Sequence, residues 1–394
     1  MMRGSSGWLL TALLSAAASL AGQTRDLDQL AHRIVATSLA IKPGEVVVIN
    51  GGKHTIPLME ALAIEAQKAG GMVTIFLNSD RVIRSFNMDV PEQYLEQEPR
   101  FYGEWLKRVD VVIGLPPASD IKALDAGVPT ARLAKQNHAN EFLTPMLDGM
   151  KFRELDITYP TPARGASFGL DGKTYVDMVW GAMRADHGRI AERAGALRGM
   201  LQGAKAVRVT SPSGTDITFD VGDRPIFIDA GTVTPEQAKG KKAAERTVSF
   251  PAGAVTVAPL ETSATGKLVV PRVQCRFQVM TGVSLEVHNG QMDSLKAARG
   301  LKCYEDLAAG SSGPINMFAS FSLGLNPAWP AHEERGAAYY PPPGAGIVYL
   351  GFGDNQLFGG ANQTVGNFGF AFPITNATVW IDGKKVVEAG KLLF

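Results

Sequence analysis

Glu286 and His288 stand two residues apart in SLEVH, so a strand would put both on one face. A carboxylate beside an imidazole could help bind a cation; the simpler reading is an exposed strand face. His332, Glu333 and Glu334 are consecutive in AHEERG. They could meet a cation, but sequence neighbours rarely converge on one ion unaided, and a solvated charged loop explains them as well. Asp354 and Asn355 follow Gly353: they could line a cleft and meet a ligand, or simply make a tight turn. Nucleophilic hydrolysis has little support, because no GxSxG elbow is present and no Ser-x-x-Lys stands in a convincing context. Gly51-Gly52 and Ala166–Gly172 form neither GxGxxG nor a phosphate-cradling loop.

The elements that must position these residues begin with helix and strand in alternation. Leu27, Leu30, Ala31, Ile34, Val35 and Leu39 recur at helical spacing. EVVVIN (45–50), MVTIFL (72–77) and VDVVIGL (109–115) are short apolar runs separated by helical stretches, the pattern of a parallel sheet covered on both faces. Thr55 can cap the helix that ends at Gly70-Gly71, with Pro57 in its first turn. A helical region over 120–148 and a strand near 152–157 continue the theme, and a long helix over 175–201 would bridge two halves. Beyond it come short strands at 206–210, 216–220, 225–228, 267–271, 274–280 and 284–288, with an Asn289-Gly290 hairpin turn and a helix over 294–299. The loop AAYYPPPGAG (337–346) is expected to be exposed and stiff at its prolines. The fold class is therefore α/β, with a Rossmann-like domain at 22–190 and a mixed α/β domain at 191–394.

With 39 basic and 38 acidic side chains in 394 residues, the net charge of +1 offers no field to attract nucleic acid or an anionic membrane. Residues 1–21 read as a signal peptide: Arg3, the apolar run WLLTALLSAAA, and small residues before Gly22. That run falls short of the roughly 20 residues that span a bilayer, so export to the periplasm or exterior is expected, without membrane attachment after cleavage; the alternative is an uncleaved membrane anchor. The only cysteines, Cys275 and Cys303, are either a disulfide, which export permits, or two buried thiols.

Segments along nearly the whole mature chain resemble, in order, the aminopeptidase T/aminopeptidase S family of two-metal aminopeptidases: SLAIKPGEVVVINGG, RVTSPSGTDITFDVGDRP, FPAGAVTVAPLETSATG, FSLGLNP and the block GAGIVYLGFGDNQLFGGANQTVGNFGFAFP. The resemblance implies a catalytic cleft in the second domain, a homodimer, and two divalent metals held by two Glu, two His, a Tyr and an Asp. It places those ligands at Ala254, Ser320, Tyr349, Phe358, Asn367 and Gly369. No His or Glu occurs over 335–380, and Asp354 is the only Asp there. Two dications with almost no compensating carboxylate are strongly unfavourable in a partly buried cleft. Three readings follow: a homologue without the metal centre (no cofactor) that keeps a cleft for a peptide or small molecule; an active aminopeptidase or related hydrolase with a relocated site drawing on Glu261, Glu286, His288 or His332; and a single-metal enzyme like the divergent relatives that cleave hydroxylated pyridine rings. For the first, the cleft candidates are Ser320, Tyr349, Asp354, Asn355 and Asn367; Tyr349 and Asn367 could donate hydrogen bonds or merely fill vacated volume.

Overall fold

The computed structural model describes residues 26–333 and 337–394. The leader read at 1–21 and Glu334 lie outside them. Five parallel strands form one sheet, in the order Met72–Asn78, Val46–Gly52, Val111–Gly114, Arg153–Ile157, Thr247–Phe250. Val47, Ile49, Val111, Ile113 and Leu155 pack on one face against helix Ile56–Lys68. Val48 and Val112 pack on the other with Leu106, Met150 and Phe152. This is the two-sided burial that continuous apolar strands require. The fifth strand comes from beyond residue 190, so the chain returns to the first sheet after starting the second unit.

The second unit has two antiparallel sheets. One has eight strands; the other has five, in the order Gly369–Ile374, Val348–Gly353, Phe318–Gly324, Ala254–Val257, Ile226–Asp229. They share an apolar core in which Phe219 meets Phe318 and Phe321 at centroid distances of 5.1 and 5.4 Å.

Local competition explains where the structure departs from the sequence reading. The bridging helix is two helices, Gly172–Met183 and His187–Leu201, because the Asp186 carboxylate accepts from the Arg189 amide (3.1 Å) and starts the second one. Thr55 does not cap: its hydroxyl donates to the Gly52 carbonyl at 2.8 Å. The strands expected between 267 and 288 are two 11-residue strands, Thr265–Cys275 and Gln278–His288. The Asn289-Gly290 turn forms with both residues at positive φ (49° and 77°), and it folds Gln291–Lys296 back as a strand where a helix was expected. Helix Leu301–Ala308 starts later, and Cys303 on it is bridged to Cys275. The Tyr-Pro loop is mostly buried, because Tyr339 packs against Phe168, Tyr175 and Trp329 between the two units. Among the described residues no helix is long and apolar enough to cross a membrane.

Candidate functional site

Strand register decides which side chains share a surface. In the five-stranded sheet, Val255, Val257, Phe321, Leu323, Val348 and Leu350 point into the core. Alternation then turns Ala254, Thr256, Ser320, Ser322 and Tyr349 to the opposite face. Pairing lines them up across strands: Thr256 opposite Ser322, Ser322 opposite Tyr349, Tyr349 opposite Pro373, and Ser320 opposite Gly351. Gly369 and Ala371 lie on the same face and are exposed. Four positions at which the family resemblance expects metal ligands, Ala254, Ser320, Tyr349 and Gly369, therefore share one face of one sheet.

At those four positions the face offers a methyl, two hydroxyls and bare backbone; the one carboxylate beside them, Asp229 opposite Ala254, accepts from the Ser249 and Gly231 amides at 3.0 and 3.2 Å. Thr256 donates its hydroxyl to Ser322 Oγ at 2.9 Å. Ser320 lies against Gly351, where a Cβ would collide with its Oγ. The Tyr349 hydroxyl donates to the Tyr340 carbonyl, and burial, followed by neighbouring Tyr340, pushes its pKa well above the usual tyrosine range. A neutral hydroxyl already engaged as a donor is a poor ligand for a dication, so these residues do not fit the family's metal pair.

Tyr349 instead forms part of the wall of a cavity of about 270 Å³ between the sheet face and helices Pro162–Ser167 and Gly172–Met183. Phe168, Tyr175, Trp329, Tyr339 and Tyr340 complete an aromatic box, with Phe168 and Tyr339 centroids 4.7 Å apart. The Arg164 guanidinium stacks 5.0 Å over Phe168. Two buried polar atoms of the lining residues lack partners: Gln274 Oε1 makes no hydrogen bond, and Trp329 Nε1 leans toward the Tyr339 hydroxyl without ordinary hydrogen-bond geometry. Gln274 Oε1 is thus an acceptor left unspent among the lining residues. Sequence reading missed Arg164, Tyr175, Gln274 and Trp329; the adjacent tyrosines at 339 and 340 were the one local sign of aromatic clustering.

The other candidates lie elsewhere. Asp354 serves a turn, accepting from the amides of Gln356 (3.2 Å) and Thr364 (3.0 Å). Asn355 is buried, donating to Glu261 Oε1 (3.0 Å) and the Ala319 carbonyl (3.2 Å) while accepting from the Asn362 amide (2.8 Å). Asn367 opens on a different hollow, of about 460 Å³, shared with His138 and Glu141. A third hollow, of about 880 Å³, lies by Arg33 and Trp180 and includes none of the candidates. Glu261 is ion-paired to Arg224 (2.5 Å); burial alone would raise its pKa, but the Ala361 amide, Asn355 and Arg224 hold it below the ordinary glutamate value. Glu286 and His288 are exposed on their strand, 3.9 Å from Lys267 and Asp293 respectively. His332 is held by backbone pairing to Tyr339. Among the described residues no three His, Cys, Asp or Glu side chains gather as a metal site would require.

A family model described as thermophilic metalloprotease (M29) matches residues 23–314. Among solved structures the chain is similar to wild-type AmpT from Thermus thermophilus, with a TM-score of 0.68 and 14% identity over 94% of this chain and 99% of that one. It is also similar to 2,5-dihydroxypyridine dioxygenase from Pseudomonas putida KT2440, with a TM-score of 0.61 and 16% identity over 94% and 97% of the two chains. At such identities the likeness establishes the shared fold. No curated protein matches the chain.

Proposed function

Because the chain belongs to the thermophilic metalloprotease (M29) family, we propose that it is an exported homologue that has given up two-metal peptide cleavage and kept its cleft as a small-molecule pocket. One observation carries this reading: the sheet face on which the resemblance expects the metal ligands bears Ala254, Ser320, Tyr349 and Gly369. None supplies an anion near neutral pH, and about four positive charges need several. The family match also ends at residue 314, ahead of the three strands that bear Ser320, Tyr349 and Gly369.

The pocket suits a neutral, ring-sized molecule. Its volume of about 270 Å³ lies just below the ~300 Å³ lower end for drug-sized ligands, and its walls are aromatic with few polar groups. Planar ligands gain from offset or edge-to-face contact with such walls.

The test is metal analysis of the purified protein, followed by aminoacyl-chromogen assays with added cobalt, zinc or manganese. We expect substoichiometric metal and no turnover above the buffer blank. Stoichiometric metal with turnover would replace this reading with that of an active aminopeptidase whose site has moved.

A further inference from the structure

Gln274 stands on strand Thr265–Cys275 and lines the aromatic cavity with Arg164, Phe168 and Tyr349. Its carboxamide has one tenable orientation. Nε2 donates to the Arg276 carbonyl at 2.7 Å and to the Ser167 carbonyl at 3.4 Å, so exchanging nitrogen and oxygen would set Oε1 against two carbonyl oxygens. Oε1 is therefore fixed as the free end of the amide. It is buried, and no group of the described residues donates to it. A buried acceptor without a donor is costly, and a donor that arrives with a ligand recovers that cost.

The donors around that oxygen are engaged. The Tyr349 hydroxyl donates to the Tyr340 carbonyl, and Trp329 Nε1 faces the Tyr339 hydroxyl, itself beside that of Tyr175. Arg164, the only formally charged side chain among the described lining residues, is stacked over Phe168 and lies against Tyr175. A ligand acceptor buried here would compete for groups already in use, and a cationic ring would meet Arg164. We infer, resting on the pocket reading above, that the occupant is a neutral planar ring with a pyrrole-type N–H, which donates to Gln274 Oε1. A phenol also donates, but its oxygen is an acceptor that must itself be met. A pyrrole-type nitrogen is a donor only, as in the indole of tryptophan, and asks for nothing in return. The aromatic walls take the faces and edges of such a ring.

Indole, indene and benzofuran are close in size and shape, and indole alone carries an N–H. Binding of each to the full chain is measured by isothermal titration calorimetry. Indene is the most apolar of the three, so apolar burial by itself would rank it first. Indole should instead bind at least about tenfold tighter than either analogue. Gln274→Met keeps the side chain's length and removes the acceptor, and should bring the three affinities within about twofold of one another. Loss of the two Nε2 bonds in that variant weakens all three rings alike and leaves their ratio unmoved. A wild type that binds all three equally overturns the inference and leaves the pocket reading standing. A preference for indole that persists in Gln274→Met places the N–H elsewhere and overturns it, as does benzoate binding more tightly than indole, which would put the Arg164 charge in command. If none of these probes binds, the pocket reading falls and the inference with it. If Gln274→Met fails to fold, the wild-type ranking of indole against both analogues still decides.

Discussion

Glu261 shows how a candidate catalytic acid can be fully committed to structure. Its Oε2 pairs with Arg224, and its Oε1 accepts from Asn355 and from the Ala361 amide at 2.7 Å, so one carboxylate ties three chain segments together. Arg224 also donates to the Gly359 carbonyl at 2.8 Å, closing the same cluster. Glu261→Gln keeps the shape but leaves Arg224 part-buried without its counter-charge. The expected loss is about 2 kcal/mol, below the cost of breaking a fully buried pair because solvent still reaches both side chains. Urea unfolding of wild type, Glu261→Gln, Arg224→Ala and the double variant checks it; additive losses would show that the pair is not coupled.

At the scale of elements, the bridge from Cys275 to Cys303 pins helix Leu301–Ala308 to the end of the long hairpin, closing a loop with a sequence separation of 28. A cross-link of that span contributes about 3 kcal/mol, mainly by restricting the unfolded chain. The Cys275→Ser/Cys303→Ser variant should therefore be less stable by that amount in urea unfolding, and reductant should shift the wild type and leave the variant unmoved. The hairpin was legible in part: three short strands were expected within it, and Asn289-Gly290 marked its last turn. The segment 294–299 was not, because its helical composition is overridden by pairing with a strand that the turn places beside it.

For the whole molecule, Asp229 is a junction between the two units. It sits on a strand of the five-stranded sheet and accepts from the Ser249 amide (3.0 Å) of the parallel sheet. Burial, opposed by hydrogen bonds from Ser249 and Gly231 and reinforced by Asp156, pushes its pKa up from 3.8 to about 6. Within that window the folded state binds more protons than the unfolded one. The stability Asp229 contributes below the unfolded pKa is therefore lost as pH rises through about 6. Its full value would be ~3 kcal/mol, reduced here because the residue is only partly buried. Asp229→Asn keeps the acceptor and removes the charge. It should be about 1–2 kcal/mol more stable than wild type near pH 8 and equal to it near pH 3.5, as measured by urea unfolding across pH. An equal difference at both pH values would mean that the effect is not titration.

Local patterning alone carries the order of helices and strands in the first half, the α/β class and the family's segments in their order. Each is written in runs of about ten residues, where periodicity, turn residues and breakers act locally. The same reading finds no histidine or glutamate and a single aspartate, Asp354, in the last block, because counting needs no coordinates. Long-range packing alone sets Ala254, Ser320, Tyr349 and Gly369 on one face, buries the Tyr-Pro loop in an aromatic box with Phe168 and Tyr175, and leaves Met72–Asn78 at the end of its sheet with exposed apolar side chains on both faces. Those facts join residues tens to hundreds of positions apart. Register and domain packing fix them through the burial of whole surfaces, which no local pattern encodes.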